Sequence, residues 1–451
     1  MAFHNDEPTL FDSLNRRPTL QRIGHQIATC DPPQVFGIHG DWGAGKTSFL
    51  HQLHHYLVGD CPQQSQDARA SAKGPGFDVC PDAGHVTVVW FEAWRYQHEE
   101  APIVALLQEI RTQLPWYSKA LGQGRKLGEV AIRSALLVFE DLTKKIGIQA
   151  SKIQETGERW EKENLATVLP SHMIRQHLEH SLDALLGQPK KKGAPRPRLV
   201  VMVDDLDRCE SAAAYKLLEG IKIYLNLPNC VFILGMNQKV IEGAIAEHIP
   251  KTDDPALRAL RAREYLDKLC QNIEHLPILR QPADFLLGLL AGVSHADAVC
   301  DVIKQYRCLP SNARKIKAYA NLLHRYVSRF EAGLAAPATK DRTARLIVIF
   351  SCLYQYHPDL YRLVEADSKF YLRLLGWSKA DRALPDHPVF QGLGRTSMPQ
   401  WTDKGEATPT VEPSWFDAFA DPAEGNILRI QRLLSDLGPV TTTEVESYLV
   451  S

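Results

Sequence analysis

The residues best suited to chemistry form one run, His39-Gly40-Asp41-Trp42-Gly43-Ala44-Gly45-Lys46-Thr47-Ser48. Its spacing is that of a phosphate-binding loop, G-x-x-x-x-G-K-[ST], with Gly40, Gly45, Lys46 and Thr47 in the defining positions. Glycine lets the backbone take positive φ and turn N–H groups toward phosphate oxygens. Lys46 would bring an ammonium to the β- and γ-phosphates, and the Thr47 hydroxyl would ligate Mg²⁺. Asp41, Trp42, Gly43, Ala44 and Ser48 complete the expected cradle. A helix expected from about Thr47 to Leu57 aims its positive end at the same anion. The run implies a site for a nucleoside triphosphate.

A second run, Leu199-Val200-Val201-Met202-Val203-Asp204-Asp205-Leu206-Asp207-Arg208, is an apolar stretch that ends in acids. That is the pattern of a buried parallel strand with carboxylates at its C-terminal end. Placed beside the loop strand, it would set Asp204 to hold the metal and Asp205 to act as the base on an attacking water. A third apolar run, Cys230 to Met236, ends at Asn237, whose amide could orient that water or sense the γ-phosphate. Arg208 is expected to pair with one of the acids. Trp94 is expected to fill a gap between sheet and helix, with a place beside Arg95 in the wall next to the nucleotide as the alternative.

These residues need a scaffold, and its elements are readable. Strands are expected near residues 34, 86, 200, 231 and 273, separated by helices, which describes a doubly wound α/β domain. Leu20, Ile23 and Ile27 mark a helix before the first strand. The polar stretch Gly59–Gly84 reads as a surface loop, Ser118–Leu186 as a helical insertion, and Gln188–Arg198 as a basic, proline-broken loop. Beyond Pro282 the pattern is helical, with a loop over 378–413 and a final helix near Glu424–Leu437 before a polar tail. The division expected is a nucleotide domain over 1–280, a helical lid or bundle over 281–376, and a C-terminal loop and helical tail over 377–451.

Composition limits the alternatives. The 451 residues are 44% hydrophobic and 23% charged with a formal net charge of −1, so no global attraction to nucleic acid or anionic membrane is expected. Nine cysteines, none in C-x-x-C spacing, argue against a zinc or disulfide framework. No apolar run reaches the length of a membrane span, and the first residues lack a charged-then-apolar leader, so the cytoplasm is the expected compartment. A DNA helicase is disfavoured by the lack of a tandem motor core and of a basic stripe interleaved with aromatics.

The phosphate loop, Trp90-Phe91-Glu92-Ala93-Trp94-Arg95-Tyr96, Val203-Asp204-Asp205-Leu206-Asp207-Arg208-Cys209, Val231 to Asn237 and Glu264 to Lys268 follow one another as in the KAP family of P-loop NTPases, which the chain resembles over roughly residues 14–325. The resemblance implies an ATPase of the additional-strand class using ATP and Mg²⁺, with strand order 5-1-4-3-2. It also implies an oligomer or hetero-complex with protein partners, and bacterial members of the family are linked to phage defence. Many relatives carry transmembrane helices inside this domain, whereas the insertion here has no run that could span. Nucleic acid would enter only indirectly. Arg314, in a family-like Asn-x-x-Arg-x-x-Lys stretch, would touch the phosphates from the lid side, and Arg258, Arg261 or Arg263 would reach a neighbouring subunit. A small-molecule kinase and a slowly hydrolysing nucleotide-bound scaffold stay open as alternatives.

Overall fold

A computed structural model describes residues 4–60, 78–99, 102–113, 179, 186, 195–224, 227–249, 254–371 and 427–449. The helical insertion expected over Ser118–Leu186 and the loop expected over 378–413 lie outside the described residues, apart from two isolated positions in the first. The chain divides into two compact units: residues 8–277, and residues 1–7 together with 278–451.

The first unit is a five-stranded sheet in the order β2-β3-β4-β1-β5. Its strands are β1 (Gln34–His39), β2 (Val86–Glu92), β3 (Arg198–Asp204), β4 (Cys230–Met236) and β5 (Asn272–His275). Every pairing is parallel, so every strand's C-terminal end emerges at one edge. All seven residues of β3 and of β4 are buried, which explains why each reads as an unbroken apolar run rather than an alternating one. The acid strand is therefore not beside the loop strand. β4 separates them, because β4 pairs with β1 on one side and β3 on the other.

Helices cover both faces. On one face, α1 (Arg17–Thr29) and α2 (Lys46–Val58) bury Leu20, Ile23, Phe49, Leu50 and Leu53 against Phe36, Ile38, Val200 and Ile233. On the other, α3 (Pro102–Gln113), α4 (Ser211–Tyr224), α5 (Gln238–His248) and α6 (Pro255–Leu269) pack around Val201, Val203, Phe232 and Leu234. Alternate residues of each strand feed opposite layers, so the sheet is held rigid between two apolar cores. Position 235 must be glycine for a steric reason. A Cβ there would lie 2.7 Å from Leu50 Cδ1 and 3.0 Å from Asp204 Oδ1, so a side chain would push on the carboxylate at the end of β3.

One buried group gives this unit an acid-sensitive element. His51, on α2, packs edge-on against Trp90 with ring centroids 4.7 Å apart, and burial lowers its pKa to about 4. The unfolded chain takes up a proton near the ordinary histidine value while the folded chain stays neutral, so stability is complete above that value and declines as pH falls toward 4. The unit is expected to lose about 2 kcal/mol through this group between pH 7 and pH 5. Urea midpoints measured at both pH values should show a shallower decline for His51→Phe than for the wild type. Parallel declines would exclude the histidine as the cause.

The second unit is helical. Helix Ala313–Arg329 and helix Lys340–Tyr356 carry much of its core, and Tyr319 hydroxyl meets Ser351 Oγ at 2.7 Å between them. The polar tail expected after Leu437 is instead a helix, Thr442–Tyr448. Gly438 at φ 78° ends the preceding helix, Thr441 caps the new one through Glu444 N–H, and Val445 and Tyr448 are buried. Arg342 binds Glu444 with two hydrogen bonds of 2.9 and 2.8 Å, so this last helix packs with the bundle.

Candidate functional site

The loop after β1 and the acids after β3 both lie at the C-terminal edge of the sheet, where a parallel sheet offers its ligand crevice. Gly43 and Gly45 have φ of 78° and 85°, and Gly45 immediately precedes α2, whose first residue is Lys46. A side chain at Gly45 would also meet Leu14 and Arg16. Gly40 is different: its φ is not positive, and its N–H donates to Met236 O at 3.2 Å, tying the loop to β4. Asp41 O accepts from Ala44 N–H at 3.0 Å and closes the turn.

Lys46 is buried, and its ammonium donates to Gly40 O at 2.8 Å and to Asp207 Oδ2 at 3.1 Å. Thr47, one residue on, hydrogen-bonds with its hydroxyl to the Asp204 carboxylate. Asp204 is 1% exposed, and its Oδ1 has no hydrogen-bond partner among the described residues. Burial, and then the neighbouring Asp205, push its pKa up to about 7, with Thr47 opposing. A sealed carboxylate oxygen beside a hydroxyl is a donor set suited to a hard divalent cation such as Mg²⁺. Among the described residues no group of three His, Cys, Asp or Glu forms a separate metal cluster.

Asp205 takes a left-handed conformation, φ 56°, and begins a short turn over Leu206–Arg208. Its Oδ1 receives Arg208 Nε at 2.9 Å, the pairing expected for that arginine. Burial raises its pKa while Arg208 opposes the rise. Asn237 stands at the end of β4, where its Oδ1 accepts from Lys239 N–H at 3.1 Å and caps α5. Its Nδ2 donates to Asp41 Oδ1 at 3.2 Å, so the amide lies against the phosphate loop. Ser48 Oγ accepts from Thr9 N–H at 3.2 Å.

Trp94 is 49% exposed, so it does not fill the core as expected; the turn Ala93–Tyr96 carries it outward while Ala93 is buried. Arg314 belongs to the helical unit, where Nε pairs with Asp6 Oδ2 at 2.5 Å. Arg258, Arg261 and Arg263 lie on α6, the first half-buried and the others exposed.

Three residues at this edge escaped the sequence reading. Asp207 receives both Lys46 and Trp42, whose indole Nε1 donates to Oδ2 at 3.0 Å. Glu92 ends β2 in register with Asp204, pairs with Arg95, and its charge helps raise the Asp205 pKa. Arg16 is the third. Its guanidinium donates to Ala44 O at 2.7 Å and Pro277 O at 2.8 Å, bracing the loop against the chain leaving β5. Burial lowers its pKa to about 10, against the pull of Asp12. The position of Arg16 just before α1 was the available signal, but only the fold brings residues 16, 44 and 277 together.

Arg16→Ala is expected to leave two carbonyls without their donor, cost about 2–4 kcal/mol, and weaken nucleotide binding roughly tenfold by loosening the loop. Arg16→Lys should recover little, because a point donor cannot span both carbonyls. Thermal melts with and without ATP measure both effects. Wild-type binding by Arg16→Ala would show the brace to be irrelevant to the loop.

Among the described residues no helix is long and apolar enough to cross a membrane. No curated protein matches the chain. A model of the KAP family P-loop domain matches residues 16–278, more than half of the sequence, and takes in all five strands, the phosphate loop and the acids at the end of β3. The chain belongs to the KAP family of P-loop NTPases.

Proposed function

We propose that the protein binds ATP with Mg²⁺ and hydrolyses it, using the energy of binding and turnover as a switch or motor. The observation that carries this reading is the meeting of Lys46, Thr47 and the sealed carboxylate of Asp204 at one sheet edge, although β4 lies between their strands. The strand inserted between β1 and β3 supports assignment to the additional-strand class.

In this reading the backbone N–H groups from Asp41 to Ser48 and the start of α2 bind the phosphates, and Lys46 holds the β–γ region. Thr47 and Asp204 would hold Mg²⁺, which when bound neutralises charge on the phosphate oxygens. Asp205 takes the proton from the attacking water as oxygen bonds to the γ-phosphorus. The β–γ bridging oxygen leaves with ADP. Asn237, fixed by its own cap, keeps its amide toward the loop and orients the γ-phosphate or water. Arg208 holds Asp205 in place. Arg314 is assigned a lid-side phosphate contact, for which its match to the family pattern is the support.

The setting we infer is a bacterial multiprotein assembly of the antiphage type, acting in the cytoplasm as an oligomer or hetero-complex; the support is the family membership. The decisive first test is ATP with Mg²⁺ on the purified chain. Nucleotide should raise the melting temperature, EDTA should reverse the rise, and inorganic phosphate should accumulate. Transfer of phosphate to an acceptor molecule in place of its release would favour a kinase. No thermal shift and no phosphate at millimolar ATP would overturn the reading.

A further inference from the structure

One carboxylate oxygen serves two residues of the loop at once. Asp207 Oδ2 receives Lys46 Nζ at 3.1 Å and Trp42 Nε1 at 3.0 Å. The local chain explains how. Asp205 in its left-handed conformation starts the turn Leu206–Arg208, and that turn carries Asp207 back toward the loop, where its side chain is 1% exposed. Gly43, also at positive φ, lets the loop turn so that the indole reaches the same oxygen. A buried aspartate paired with a buried lysine is by itself ordinary charge neutralisation. The indole is not ordinary: Trp42 is 60% exposed, yet its N–H is held on a buried anion.

We propose that Asp207 is a positioning residue that couples the Lys46 ammonium to Trp42, so that arrival of a triphosphate at the loop is registered at the exposed indole. This rests on the nucleotide reading above. An ammonium has three donors, and two are committed here, to Gly40 O and to Asp207. A triphosphate draws the same ammonium toward its own oxygens, and the attraction between Lys46 and Asp207 weakens as the charge is shared. Asp207 stays buried, so the change is met by its other donor, Trp42. The indole then moves or changes its hydrogen bond, and because it is exposed, solvent or a bound protein can sense the difference. The loop thus signals occupancy without movement of the sheet.

The test isolates the emission of Trp42 as the difference between the wild type and Trp42→Phe, titrated with ATP–Mg²⁺ and with AMP, beside calorimetric binding. The expected result is a saturable change with ATP that follows the calorimetric isotherm, and none with AMP, which has no β- or γ-phosphate to reach Lys46. Asp207→Asn should still bind ATP, about tenfold more weakly, and lose the Trp42 response; Asp207→Glu should restore part of it. ATP heat without a Trp42 change, an equal response to AMP, or a full response in Asp207→Asn would each overturn the coupling while leaving nucleotide binding intact. Absence of ATP heat in the wild type overturns the nucleotide reading and the coupling together. If Asp207→Asn does not fold, Asp207→Glu takes its place: a Trp42 response below that of the wild type supports the coupling, and a full one overturns it.

Discussion

The Lys46→Ala protein is expected to hydrolyse ATP about a thousandfold more slowly than the wild type. The expectation follows from where the ammonium sits. It lies between Gly40 O and Asp207, in the first residue of the helix that follows the loop, so its charge already stands beside the phosphate site when a substrate arrives. A cation held this close needs only a short shift to stabilise charge developing on the transferred phosphoryl group. The same geometry makes a second consequence unavoidable. Removing Lys46 leaves Asp207 buried with no cation beside it, which costs about 3–5 kcal/mol. Loss of turnover could then reflect loss of the fold. The double variant Lys46→Ala with Asp207→Asn separates the two. Removing the stranded charge should return most of the melting temperature, because the two residues share one interaction. Turnover should stay at the single-variant level. A Lys46→Ala protein within about tenfold of wild-type turnover would show that this loop does not serve hydrolysis.

The site divides into a part written in local sequence and a part written only in three dimensions. The phosphate loop was legible because its residues are contiguous and each type has one purpose at its position. The central strands β3 and β4 were legible because parallel strands buried on both faces give unbroken apolar runs, as in Leu199–Val203 and Val231–Leu234. Strand adjacency was not legible from those runs. Nothing in the acid strand says that β4 intervenes, and only the family resemblance carried the correct order. Asp207 and Arg16 were missed for a related reason: their partners lie 165 and 261 positions away in the chain. Trp94 was misplaced because size and hydrophobicity suggest burial, whereas a tight turn after a strand can carry even a tryptophan outward. The last helix was missed because Thr442–Tyr448 is polar on one side and short. Its buried face rests on only Val445 and Tyr448, too few positions for periodicity to register.

Replacing Asp204 and Asp205 one at a time should produce two different failures, because one strand end places the two carboxylates in different surroundings. Asp205→Asn is expected to lower turnover roughly a hundredfold or more while ATP–Mg²⁺ still binds, since it removes the group that accepts the proton of water. Asp204→Asn is expected to remove the dependence of ATP binding on Mg²⁺, since the sealed oxygen and its charge are both altered. The stabilities should diverge as well. The Asp204 pKa is raised to about 7 in the folded chain, above its unfolded value, so the folded state holds a proton that the unfolded state has released. Stability through this group is therefore greatest in acid and declines as pH rises toward neutrality. Asp204→Asn removes that penalty, so the variant should melt above the wild type at pH 8 and show no such gain at pH 4. A gain in stability joined to loss of metal-dependent binding is the signature of a charge kept in an unfavourable place for function. Melting curves at the two pH values, with ATP titrations in Mg²⁺ and in EDTA, read all of these effects. Should Asp204→Asn bind ATP with the wild type's response to Mg²⁺, the metal must be held by other residues, and the assignment of Asp204 fails.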